Sequence, residues 1–186
     1  MKSFKKLEEV FVERDDLYRG AVLHFVKDTV RLPNGELATR EICLHPGAVC
    51  IIPILDDGTV IMEHQYRYAL SRVFFEIPAG KLDFVGEDPL EAAKRELREE
   101  TGAVAQKFTF LGDLVTSPAI VSEKIKMYLA EDITFDEQEL DEDEFLELER
   151  VPLKQLYGMV LDGKIADAKT QIAILKAAKL RPQYLK

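Results

Sequence analysis

The chain has 186 residues, an apolar fraction of 47% and a formal charge of -9, which suits one domain with a full core and a small extra lobe. No apolar run approaches the ~20 residues of a membrane span, and residues 1–9 lack the apolar segment of a signal peptide. The acidic balance argues against nucleic acid as a partner, and Cys43 and Cys50, spaced unlike any metal site, read as two buried free thiols in a reducing cytoplasm.

In chain order, residues 18–25 and 28–32 read as short strands rich in β-branched and aromatic side chains. Pro33-Asn34-Gly35 is a hairpin turn and residues 36–44 are its return strand. Together they predict an N-terminal β lobe over residues 1–45, followed by a larger domain over 46–186. Residues 48–55 form a nearly continuous apolar run, the pattern of a strand buried on both faces. Asp56-Asp57-Gly58 turns the chain into a strand over 59–66, and residues 74–77 lead into a Pro78-Ala79-Gly80 loop. Further strands are predicted over 108–115, 124–130 and 145–151, with Glu147 and Glu149 facing solvent, and helices over 153–161 and 167–180. The class is mixed α/β, a sheet between helices. Residues 131–149 carry many acids without one Lys or Arg, a pattern that usually marks a solvated loop.

The most informative stretch lies between these elements. Asp88 is a good N-cap, Pro89 suits the first helical turn, Glu91 completes a capping-box spacing and Gly102 supplies the stop. At about 100° per residue, Leu90, Ala93, Leu97 and Thr101 make an apolar stripe. Glu96, Glu99 and Glu100 share a neighbouring face, where like charges repel. A hard divalent cation removes that repulsion, because Mg²⁺ and Mn²⁺ prefer oxygen ligands. A solvated acidic helix face is the simpler reading of Glu99-Glu100 taken alone.

The whole string resembles the Nudix box: Gly80, then Glu87, a gap of seven residues, and Arg95-Glu96-Leu97-Arg98-Glu99-Glu100-Thr101-Gly102-Ala103. Six residues rather than five separate Gly80 from Glu87, which puts the loop conformation in question but not the helix. Gln65-Tyr66-Arg67, Glu76-Ile77-Pro78-Ala79-Gly80, Thr116-Ser117-Pro118, Leu140-Asp141-Glu142-Asp143-Glu144-Phe145 and Gly163-Lys164-Ile165-Ala166-Asp167-Ala168-Lys169-Thr170 resemble the ADP-ribose pyrophosphatase and nucleoside-diphosphate-sugar hydrolase branch. Ala119 departs from the Gly that many members carry after the Pro.

The resemblance implies an α/β/α sandwich with a mixed sheet, preceded by a small antiparallel lobe, and a homodimer. It implies metal-dependent hydrolysis of ADP-ribose or a related nucleotide sugar to a nucleoside monophosphate and a sugar phosphate. A GDP-mannose or broad-specificity hydrolase is the alternative, and a non-catalytic nucleotide sensor is a third reading that the intact carboxylate set disfavours. Mg²⁺ (or Mn²⁺) is expected on Glu96, Glu99, Glu100 and the carbonyl of Ala79. Arg67 is expected on the diphosphate, since a cationic fork binds it bidentately; a surface Arg paired with an acid is the other reading. Glu76 either supports the site or only orients Arg67. Arg40, Glu41 and His45 fall where relatives read the nucleoside, although His45 before Pro46-Gly47 also suits a turn cap. Pro118 shapes a pocket or ends a strand. The base is expected at Glu142, then at Glu144, with Asp141 and Asp143 solvated.

Overall fold

A computed structural model describes residues 4–84, 86–140, 142 and 144–186. The chain divides into two compact units. The first holds Met1–Pro46 and Val115–Glu123, the second Gly47–Leu114 and Lys124–Lys186. The segment Val115–Glu123 therefore joins the N-terminal unit, although its place in the chain put it in the larger domain. It is held there by the Cys43 N–H donating to the Ile120 carbonyl at 2.8 Å and the Ser122 N–H donating to the Cys43 carbonyl at 3.0 Å.

The first unit is an antiparallel sheet of β1 (Val10–Arg19), β2 (His24–Arg31) and β3 (Leu37–Leu44), with β2 central. The strand expected over 18–25 does not exist as one element. Tyr18 on one arm pairs with Phe25 on the next, Arg19 pairs with His24, and the Gly20 N–H closes the turn on the Leu23 carbonyl at 2.8 Å. Strand β1 escapes the sequence pattern because it has no buried face: all ten residues are exposed. Cross-strand ion pairs hold it instead, Arg14 Nε to Asp28 Oδ1 at 2.6 Å and Lys27 to Asp15 at 2.8 Å.

The second unit is built around β4 (Ala48–Pro53), buried at every position. It lies in a mixed sheet in the order β7 (Ala79–Lys81), β4, β9 (Ile125–Phe135), β8 (Ala103–Leu114), in which only the β4–β9 pair is parallel. A second, antiparallel sheet runs β10 (Leu146–Pro152), β5 (Thr59–Arg67), β6 (Arg72–Glu76). Helix α1 (Pro89–Thr101) covers one face, where Ala92, Ala93 and Leu97 pack on Val49 and Ile51. Helices α2 (Leu153–Leu161) and α3 (Ala168–Leu180) cover the other, where Leu156, Ala173 and Ile174 meet Cys50 and Ile52. The alternation of β4 between two cores is why its sequence reads as one apolar run. Three strands differ from expectation: β7 is a new three-residue strand, β8 begins directly after the α1 stop, and β9 runs five residues further, to Phe135. The extension of β9 removes the first acids from the expected solvated stretch, for Glu131 receives Arg181 Nε at 2.6 Å and Lys107 Nζ at 3.3 Å. The fold is the mixed α/β architecture read from the pattern. Cys43 and Cys50 are both free and buried.

Candidate active site

Helix α1 starts where its capping residues dictate. Asp88 accepts from the Leu90 N–H at 2.8 Å and the Glu91 N–H at 3.1 Å. Glu91 pairs with Lys94 at 2.7 Å, so an ion pair takes its carboxylate outward along the first turn. Gly102 closes the helix in the left-handed region at φ 67°, where a β-carbon would meet the Asp136 carbonyl at 2.6 Å.

The carboxylate face is organised by Arg95. Its Nη1 donates to Glu96 Oε1 at 2.9 Å and to Glu99 Oε2 at 3.1 Å, and its Nη2 reaches Glu87 Oε1 at 3.4 Å. The i,i+4 contact with Glu99 is the orientation the helix spacing suggested. Glu100 turns to the neighbouring strand and accepts from the Ala79 N–H at 3.0 Å. Glu96 lies so close to β7 that a β-carbon on Gly80 would fall 2.0 Å from its carboxyl carbon. Burial pushes Glu96 up to about 7, against the pull of Arg95. Burial also raises Glu100 well above the carboxylate range, helped by the charge of Glu63.

Glu63 was not a candidate on sequence. It lies on β5 opposite Glu76 of β6 and is 0% exposed. Neither of its carboxylate oxygens has a hydrogen-bond partner among the described residues. Burial first, then the charge of Glu76, pushes it up to about 8. Its signal was a lone Glu, two residues from Gln65 and four from Arg67, following the apolar run Val60-Ile61-Met62.

Among the described residues no three His, Cys, Asp or Glu side chains enclose a cation as they stand. The donor chemistry nonetheless fits a hard divalent ion: carboxylates on adjoining turns of one helix, two of them buried with raised pKa, need added positive charge to ionise together.

Arg67 sits at the end of β5. Its Nε donates to Glu76 Oε1 at 2.7 Å, and Glu76 is buried. The other Glu76 oxygen is bonded by buried Lys169 of α3, which also lies 3.2 Å from Asp167. Asp167 caps α3 through the Thr170 N–H at 2.8 Å, and Thr170 Oγ1 accepts from the Ile77 N–H at 3.0 Å. Glu76 thus orients Arg67, and Lys169 enters a network in which sequence reading gave it no role.

The acidic segment after β9 is tied to the end of α1. The Asp136 N–H donates to the Gly102 carbonyl at 2.7 Å, Gln138 Nε2 to the Glu100 carbonyl at 2.5 Å, and the Glu139 N–H to the Glu99 carbonyl at 3.1 Å. Glu142 is exposed, whereas Glu144 is half-buried and its charge raises Glu63, Glu96 and Glu100. Glu144 also lines a cavity of about 470 Å³ with His64, Tyr66, Val73 and Phe145. Asp141 and Asp143, expected to be solvated, lie outside the described residues.

In the first unit, Arg40 and Pro118 line one cavity of about 520 Å³, with Glu9 holding Arg40 Nε at 2.9 Å. Glu41 alternates to the opposite face of β3, where its charge acts on Lys27. The ring of His45 lies 3.7 Å from Glu123 while its backbone N–H donates to Ser122 Oγ at 2.9 Å.

An acidic helix hubbed on an arginine, laid over a mixed sheet beside a close-approach glycine, is the arrangement of a Nudix domain. The family model described as NUDIX domain matches residues 44–173, and the chain belongs to this family. It is 42% identical over 172 residues to an ADP-ribose pyrophosphatase of Bacillus subtilis (strain 168), covering 91% of this chain and 92% of that protein. It is 40% identical over 172 residues to a methanol dehydrogenase activator of Bacillus methanolicus, again covering 91% and 92%. A crystal structure of an ADP compounds hydrolase superposes with a TM-score of 0.82 at 26% identity, covering 98% of each chain.

Proposed function

We propose that this protein hydrolyses the diphosphate bond of ADP-ribose or a closely related nucleoside diphosphate sugar, releasing a nucleoside monophosphate and a sugar phosphate. The observation that carries this reading is that one short segment ties the α1 carboxylates to Arg67: Glu76 accepts from Arg67 Nε at 2.7 Å, and three residues on the Ala79 N–H donates to Glu100 at 3.0 Å. Glu96, Glu99, Glu100 and the Ala79 carbonyl would hold Mg²⁺ or Mn²⁺, which neutralises phosphate charge and activates water. Arg67 binds the diphosphate through its Nη amines. Glu144 takes a proton from the attacking water as the new P–O bond forms and the bridging P–O bond breaks. Its electrostatic reach to Glu96 and Glu100 supports Glu144 over the exposed Glu142. In the first unit, Arg40 and Pro118 offer a cavity for the nucleoside, and nothing on the face of Glu41 favours a role for it there.

The test is turnover of ADP-ribose, GDP-mannose, UDP-glucose, diadenosine polyphosphates and NADH, read as phosphate released by an added phosphatase. ADP-ribose should lead. Glu99→Gln and Glu100→Gln should lose orders of magnitude in rate, and Glu144→Gln about 10²–10⁴-fold with little change in Mg²⁺ requirement. A Glu100→Gln variant turning over at the wild-type rate in low Mg²⁺ would sink the ligand set. Full rate in Glu144→Gln with loss in Glu142→Gln would move the base.

The same reading includes a homodimer in the cytoplasm. Strand β1 exposes Val10, Phe11, Val12, Leu17 and Tyr18, and a sheet this small needs a partner surface. Light scattering should give twice the chain mass, and Phe11→Asp should halve it. A fully active monomer would overturn this. The two free thiols suit a reducing compartment, and no described helix is long and apolar enough to cross a membrane.

A further inference from the structure

We propose that Lys169 is a positioning residue that keeps the Arg67 fork available to substrate by occupying the second oxygen of Glu76. The inference rests on the proposed role of Arg67 on the diphosphate.

An arginine beside a carboxylate ordinarily closes a bidentate pair, two parallel N–H to oxygen bonds. Arg67 does not. Only its Nε bonds Glu76, at Oε1 and 2.7 Å, because Oε2 is taken by Lys169. The two Nη amines of Arg67 have no partner among the described residues. Glu76 is 2% exposed, so its geometry is fixed by these two cations rather than by water. Lys169 is itself anchored, buried on the first turn of α3 and 3.2 Å from the N-cap Asp167. The same helix turn fixes the chain just after Glu76 through the Thr170 bond to Ile77.

Stability alone is a poor account of this lysine. A buried ion pair often contributes less than apolar residues of the same shape, because both charges lose their hydration. Orientation is what the pair supplies. Without Lys169, Glu76 regains a free oxygen that Arg67 can grip with an Nη, and the fork turns from the substrate to the protein.

The experiment is a double-mutant cycle on the full chain with ADP-ribose. Lys169→Met should raise KM about tenfold, approaching the effect of Arg67→Ala, with a smaller change in kcat. Lys169→Arg should restore most of the affinity, because a guanidinium still occupies Oε2. In the Arg67→Ala background, Lys169→Met should add less than about twofold, since the group it positions is gone. Thermal unfolding is followed in parallel. If Lys169→Met does not fold, the cycle runs with Lys169→Gln, which keeps a donor without the charge and should give an intermediate KM. Wild-type KM in these variants, or losses that multiply in the double mutant, overturns the inference. Absence of ADP-ribose turnover by the wild type would instead overturn the proposed function, so the two failures are distinct.

Discussion

Gly80 shows how one hydrogen in place of a methyl group shapes the site. A β-carbon there would stand 2.0 Å from the Glu96 carboxyl carbon and 2.1 and 2.3 Å from its oxygens. The clash is with the far end of a flexible side chain, so the backbone would survive and Glu96 would move. Gly80→Ala should therefore fold normally, raise the Mg²⁺ requirement, and lose about a hundredfold or more in rate, because a metal's charge stabilisation is worth several kcal/mol. The measurement is rate against Mg²⁺ concentration beside near-ultraviolet circular dichroism. Wild-type rate and Mg²⁺ dependence in Gly80→Ala would mean that Glu96 does not need its present position. The Cys50 thiol, pushed up to about 12 chiefly by burial, is an inert neighbour of this chemistry.

At the scale of elements, what could be read in advance was whatever the chain writes locally. Helix α1 carries its own N-cap, first-turn proline, apolar stripe and stop, and it forms over Pro89–Thr101. Strand β4 announces burial on both faces by composition alone. Strand β1 announces nothing, since charged cross-strand pairs replace a buried face. Strand β7 is three residues long and exists because β4 pairs with it. Before α1 the Glu87 carboxylate accepts from the Asp83 N–H at 2.7 Å. In the site, Glu96, Glu99, Glu100 and Arg95 were legible because four residues of one helix must share a face. Glu63 and Lys169 were not, because their meaning comes from partners on other elements. Lys169 meets Glu76 across 93 positions of chain, and no local pattern encodes that pairing.

For the whole molecule, the buried acids set how stability depends on pH. Glu63 stands at about 8 and Glu96 at about 7 in the folded chain, with Glu100 also raised, while an unfolded Glu titrates near ~4.3. The folded state therefore keeps protons that the unfolded state releases between those values. Stability from this source is complete below the unfolded pKa and is lost as pH rises through the folded pKa. The acids of the cross-element ion pairs act in the opposite sense. Asp28 is lowered by its hydrogen bond to Arg14, and Glu131 by Arg181, so their stabilisation is present above the unfolded pKa and lost as pH falls through the folded one. The two sets bracket an optimum on the acidic side of neutral. With divalent cations chelated, the melting temperature should peak near the unfolded carboxylate pKa, at about pH 4 to 5, and decline toward pH 8. Glu63→Gln, facing Glu76, Lys169, Arg67 and Glu144 without a titrating proton, should flatten much of that decline and melt higher than wild type at pH 8. Each kcal/mol recovered should appear as roughly 2–4 °C in a chain of this size. An unchanged slope between pH 5.5 and 8 in Glu63→Gln would show that the unpartnered carboxylate is not what couples this fold to pH.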